Sequence, residues 1–189
     1  MSSEANQEQP ECISSRRVYS GKIVSLDVDT VRLPNGLTTE LEMIRHSGAS
    51  AVVPFLDDPA SEDPRVLLIR QYRYAADGFV FEIPAGRLNE GEDPEKCARR
   101  ELKEETGYRA GRVAPLTVFY TTPGFTDERI HLFAAMDLAS GENQLESDEI
   151  VELHPLRLSE ALEMIRAGEI KDGKTVIGLF FASTFVGPA

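Results

Sequence analysis

The chain contains no tryptophan, two cysteines and three histidines among its 189 residues. No stretch approaches the ~20 consecutive apolar residues that a bilayer-crossing helix needs, so no membrane partner is expected. Two cysteines give no disulfide framework: Cys12 falls in an N-terminal tail, and Cys97 falls in a helical stretch where it reads as a packing residue. His46, His131 and His154 lack metal-ligand spacing and are read as structural. Basic residues are scarce. Against 32 Asp and Glu stand 20 Lys and Arg, a formal net charge of −12, which excludes the basic face of a general nucleic-acid binder. Residues 1–12 are polar and acidic without the apolar centre of a signal peptide, and a cytoplasmic location is expected.

What is present is enough for one substantial core, since 41% of the residues are hydrophobic. After a tail at 1–15, expected to be disordered, residues 17–19, 23–31 and 38–45 alternate apolar and polar side chains around Gly21 and the turn Pro34-Asn35-Gly36. They predict a small antiparallel N-terminal sheet over 16–46. Residues 47–189 form the expected catalytic domain. Strands are predicted at 50–56, 66–72, 114–120, 130–137 and 149–155. Helices are predicted over 94–106, from a Ser159 cap to Gly168, and over 174–183. Strands interleaved with helices predict an α/β (α+β) fold.

The chemistry concentrates between Gly86 and Tyr108. Asp93-Pro94 reads as an N-cap with proline at the first helical position, and Gly107 reads as the C-terminal stop. On that helix Glu101 and Glu105 share a face with Glu104 beside them, while Ala98 and Leu102 form an apolar stripe. Carboxylates crowded in this way repel one another unless a cation sits among them, and oxygen donors suit Mg²⁺ or Mn²⁺ rather than zinc. Pairing with Arg99, Arg100 and Lys103 on a solvated face is the plainer alternative. The preceding loop favours the metal: Glu82-Ile83-Pro84-Ala85-Gly86 is a proline–glycine turn just before the helix, from which the Ala85 carbonyl is expected to join the carboxylates as a ligand. An acidic chain that handles phosphate also needs local arginines, and Arg70, Arg73 and Arg87 stand close by in sequence.

The spacing Gly86, Glu92, Arg100-Glu101-Leu102, Glu104-Glu105, Gly107-Tyr108 resembles the signature of the Nudix hydrolases. From about Arg17 to Phe185 the chain resembles their ADP-ribose pyrophosphatase branch, through His46-Ser47-Gly48-Ala49, Arg70-Gln71-Tyr72-Arg73, Glu82-Ile83-Pro84-Ala85-Gly86 and Thr122-Pro123-Gly124-Phe125. The resemblance implies an α/β/α sandwich with a mixed sheet, and a homodimer in which the N-terminal sheet is swapped across the partner's site. It implies Mg²⁺, with Mn²⁺ as the alternative, held by Ala85, Glu101, Glu104 and Glu105. Arg100 is then expected to fix the carboxylates by ion pairing, and Glu92 to support the loop–helix geometry. Arg73, Glu82, Arg70, Arg87 and Pro123 are the substrate-binding residues it implies, Pro123 because it falls at the position that marks hydrolases of nucleoside diphosphate sugars. Glu149 is the implied general base, with Glu146 as its alternative; Glu101 and Glu105 complete the catalytic set. ADP-ribose is the expected substrate. Another nucleotide sugar such as GDP-mannose, or a non-catalytic sensor of such ligands, are the competing readings.

Overall fold

The structure is a computed structural model describing residues 9–141 and 151–186. The chain divides into two compact units. The first runs to His46 and takes in Tyr120–Glu128; the second comprises Ser47–Phe119 and resumes at Arg129.

In the first unit, β1 (Glu11–Ser20), β2 (Ser25–Arg32) and β3 (Thr38–Arg45) form an antiparallel sheet in that order. β1 begins within the stretch the sequence assigns to the tail. Its side chains are all exposed, so no burial pattern marks its start, and backbone pairing from Glu11↔Arg32 to Ser20↔Ser25 defines it instead. The β2–β3 turn follows its chemistry: Gly36 takes φ 80°, and the Leu37 amide donates to Asn35 Oδ1 at 3.0 Å. Residues 120–128 join this unit through backbone bonds, Ile44 N–H to Phe125 O at 2.7 Å and Asp127 N–H to Ile44 O at 3.3 Å. The Asp127 carboxylate also accepts from the His46 amide at 2.9 Å.

The second unit carries two sheets. One has β5 (Arg65–Arg73) at its centre between β6 (Gly78–Glu82) and β10 (Val151–Arg157). The other runs β7 (Ala85–Arg87), β4 (Ala49–Pro54), β9 (Arg129–Ala139), β8 (Arg109–Tyr120), with β4 and β9 parallel. Among the described residues three α-helices pack on them: α1 (Pro94–Thr106), α2 (Leu158–Arg166) and α3 (Gly173–Phe181). Side chains alternate across a strand, and both faces of β4 are used. Val52, with Phe133 and Ala135 of β9, packs on Ala98 and Leu102 of α1. Ala51, Val53, Leu132 and Ala134 share the opposite core with Leu68, Ala161 and Leu179. Every residue of β4 is buried, Ser50 included, as expected for a strand covered on both faces.

Two local expectations are revised. α2 begins at Leu158 after Arg157, not after a Ser159 cap. Asp63, from the loop before β5, takes over the capping role, accepting from the Ser159 amide at 3.0 Å and its hydroxyl at 2.8 Å. The turn after β6 is itself a short strand, β7, which pairs with β4 from Ala49↔Arg87 to Ala51↔Ala85.

Candidate active site

The second unit brings the loop from Glu82 to Arg87 against α1. The helix starts as its sequence dictates: Asp93 accepts from the Glu95 and Lys96 amides at 3.0 and 3.1 Å, Pro94 follows, and Gly107 closes the helix at φ 77°. Ser50 Oγ on β4 donates to the Pro94 carbonyl at 2.8 Å. Ala98 and Leu102 anchor one side of α1 in the core, and the carboxylates of the next turns are thereby aimed at the loop.

Three contacts define how loop and helix meet. The Ala85 amide donates to Glu105 Oε2 at 3.1 Å, and Glu105 is 3% exposed. A Cβ on Gly86 would lie 1.9 Å from Glu101 Oε1, so only glycine leaves room for that carboxylate over the loop backbone. Arg100 joins the rest. It grips Glu92 bidentately at 2.9 and 3.0 Å, reaches Glu101 at 2.5 Å and Glu104 at 3.0 Å, and donates to the Arg87 carbonyl at 3.1 Å. Hydrogen bonding from Arg100 holds the Glu92 carboxyl down to about 2, and the bonds to Glu92 raise the guanidinium in turn. Burial pushes the Cys97 thiol up to about 11; its Sγ lies 3.4 Å from the Arg87 carbonyl and behaves as a packed neutral group.

A second charged group stands at the start of the loop. Arg73 donates to both oxygens of Glu82 at 2.7 and 2.9 Å, and Lys174 of α3 also bonds Glu82. Burial pushes the Glu82 carboxyl up, but the Arg73 hydrogen bonds and the Lys174 charge outweigh it and the net shift is downward. Glu82 is therefore an anion inside the protein, 2% exposed and compensated on two sides.

The remaining candidates lie as follows. Arg70 stacks over the Phe79 ring at 4.5 Å and donates to Glu152 at 3.1 Å. Arg87 offers its carbonyl to Arg100 while its side chain is exposed. Pro123 belongs to the first unit, in the turn where the Phe125 and Thr126 amides both donate to the Thr122 carbonyl at 3.2 Å. Glu146 and Glu149 lie outside the described residues. Lys174, Asp172 and Thr175 were not singled out from the sequence. Only a helix-start pattern marks them there, and nothing local ties them to a loop some ninety residues earlier.

Among the described residues, no three Asp, Glu, His or Cys side chains converge on one point: Glu101 and Glu104 turn to Arg100, and Glu105 turns to the Ala85 amide. By type, the donors fit a hard divalent cation. Oxygens of Glu101 and Glu105 lie against the loop backbone at Gly86 and Ala85, with no thiolate or imidazole between them.

Comparison with known proteins gives the family and the fold. Residues 46–176 match the NUDIX domain model, and residues 11–40 match the nucleoside diphosphate sugar hydrolase N-terminal domain model. The chain belongs to the Nudix family and is a Nudix hydrolase, a class that generally uses divalent metal ions. It is 43% identical over 173 residues to a methanol dehydrogenase activator of Bacillus methanolicus, covering 90% of this chain and 91% of that one. It is 38% identical to an ADP-ribose pyrophosphatase of Bacillus subtilis over the same length and shares. The crystal structure of an ADP compounds hydrolase superposes with a TM-score of 0.80 at 20% identity over 95% of each chain, a likeness of fold.

Proposed function

We propose that this Nudix hydrolase cleaves the pyrophosphate bond of ADP-ribose, giving AMP and ribose 5-phosphate, with Mg²⁺ as its metal. The reading rests above all on the apposition of the Gly86 backbone and the Glu101 carboxylate, which places acidic oxygens against the loop that carries Ala85. Similarity to the Bacillus subtilis pyrophosphatase supports the substrate, and the match over residues 11–40 supports the class of nucleoside diphosphate sugars.

In this reading Ala85 (through its carbonyl), Glu101, Glu104 and Glu105 hold the metal. When bound, the ion neutralises charge that builds on the phosphoryl oxygens. Arg100 orients Glu101 and Glu104. Arg73 and Arg87 offset the charge of −12 where an anionic substrate must enter, with Arg70, Glu82 and Pro123 as further substrate-binding residues. Glu149 accepts the proton of the attacking water as its oxygen bonds phosphorus and the bridging P–O bond breaks; Glu146 is the alternative acceptor. The protein acts as a cytoplasmic homodimer. Its support is the apolar surface of the first unit, where Ile13, Val18 and Tyr19 are 47%, 51% and 58% exposed.

The test is product analysis on ADP-ribose, GDP-mannose, UDP-glucose and NADH, with Mg²⁺ and with EDTA. AMP and ribose 5-phosphate formed from ADP-ribose, in preference to the other three and only with metal, is the expected result. Preference for GDP-mannose moves the substrate. No cleavage of any of the four, with ADP-ribose still raising the melting temperature, replaces the enzyme with a sensor.

A further inference from the structure

The loop that carries Ala85 is held from behind by the first turns of α3. Thr175, fully buried, accepts a hydrogen bond from the Ile83 amide at 2.9 Å and donates its hydroxyl proton to Asp172 at 2.6 Å. Asp172 is itself fixed: it caps α3 by accepting from the Thr175 amide at 3.0 Å and pairs with Lys174 at 3.1 Å. Lys174 in turn bonds Glu82. One helical turn farther on, α3 has a glycine where Ile83 arrives; a Cβ on Gly178 would meet Ile83 Cδ1 at 2.9 Å and Val53 Cγ2 at 3.1 Å. The Pro84 carbonyl is taken by the Val52 amide at 2.9 Å. Three consecutive residues ahead of Ala85 are thus held by side chain, by amide and by carbonyl. Ala85 and Gly86 are the next two.

We propose that Thr175, with Asp172 and Lys174, is a positioning element of the hydrolase site: it sets the direction of the Ala85 carbonyl and the height of Gly86 beneath Glu101, and so the geometry offered to the metal. This inference rests on the assignment of Ala85 and the α1 glutamates as metal ligands. The hydroxyl of Thr175 has one proton, and Asp172 takes it, leaving a lone pair that can only accept. The Ile83 amide therefore has a fixed partner inside the protein, where an unpaired donor is costly. Groups that orient metal ligands from behind typically change metal affinity or activity by about 10–100-fold when removed.

The experiment measures Mn²⁺ binding without substrate, by the electron paramagnetic resonance of unbound Mn²⁺, beside ADP-ribose turnover and the melting temperature of the metal-free protein. Four variants are compared with wild type: Thr175→Val, Thr175→Ser, Lys174→Gln and, as a control for general destabilisation, Asp63→Ala at the cap of α2. Thr175→Val is expected to weaken Mn²⁺ binding by about 10–100-fold and lower kcat with little change in KM, and Thr175→Ser to restore both. Lys174→Gln is expected to shift affinity in the same direction by less, and it carries the test if Thr175→Val does not fold. Asp63→Ala is expected to lower the melting temperature alone. Wild-type Mn²⁺ affinity in a folded Thr175→Val, or in Lys174→Gln where only that variant folds, overturns the inference. So does a wild-type protein that binds no Mn²⁺. If Mn²⁺ binding follows the expected order while ADP-ribose is not cleaved, the substrate reading fails and the positioning role stands.

Discussion

The two units are stabilised by different forces. The second buries aliphatic side chains around β4 and β9, with Ala51, Val52, Val53 and Leu132 fully enclosed. The first buries carboxylates: Asp27 and Asp29, 6% and 5% exposed, point from β2 toward Arg17 and Arg45, while Ile13, Val18, Tyr19 and Leu41 face outward. Apolar burial scales with area and tolerates pH and salt, whereas charge pairing stabilises little beyond the cost of dehydrating the charges and depends on every partner being present. The carboxylates proposed as metal ligands stand on the unit with the apolar core, where Ala98 and Leu102 anchor the helix that holds them.

The largest effect expected from this contrast is in the second unit. Leu132→Ala should cost about 2–5 kcal/mol of unfolding free energy, read from urea titration, because the site is closed on all sides and cannot collapse around the void. A cost below about 1 kcal/mol would remove the contrast. Next comes Arg45→Met, which strips Asp27, Asp29 and Asp127 of a shared partner. Amide exchange in β2 and β3 should accelerate at least about tenfold while β4 and β9 keep wild-type protection. Equal acceleration in both units would mean that they unfold as one. The smallest effect is acid sensitivity. Hydrogen bonding to Arg17 and then Arg45 lowers Asp27 from its ordinary 3.8. A depressed carboxyl adds stability that is complete above the unfolded value and is lost as pH falls through the folded one. Between pH 5 and 2 the β2 amides should therefore lose protection faster in wild type than in Asp27→Asn, which starts lower and titrates less; parallel pH profiles would contradict the role of that pair.

Much of α1 was legible because its signals are local. Asp93-Pro94 and Gly107 mark its ends, and Arg100 finds Glu92, Glu101 and Glu104 within eight residues or fewer. The strand at 50–56 was equally legible, and β4 covers Ala49–Pro54. Other features are invisible at short range. β1 has no buried face to impose alternation, the cap of α2 comes from Asp63 far upstream, and the bond from the Ile83 amide to Thr175 joins positions ninety-two apart. The resemblance implies a substrate-binding role for Glu82. Arg73 sits on it, but the second cation, Lys174, arrives from α3 and carries no sequence mark of that partnership.

The central claim is that α1 and the loop at Ala85–Gly86 form one metal-dependent hydrolytic site, and Glu105→Gln tests it most directly. The amide keeps an oxygen for the Ala85 N–H but loses the charge. Mg²⁺-dependent ADP-ribose turnover should fall by at least about 100-fold with the melting temperature of the metal-free protein close to wild type. Turnover within a few-fold of wild type in a folded Glu105→Gln would contradict it.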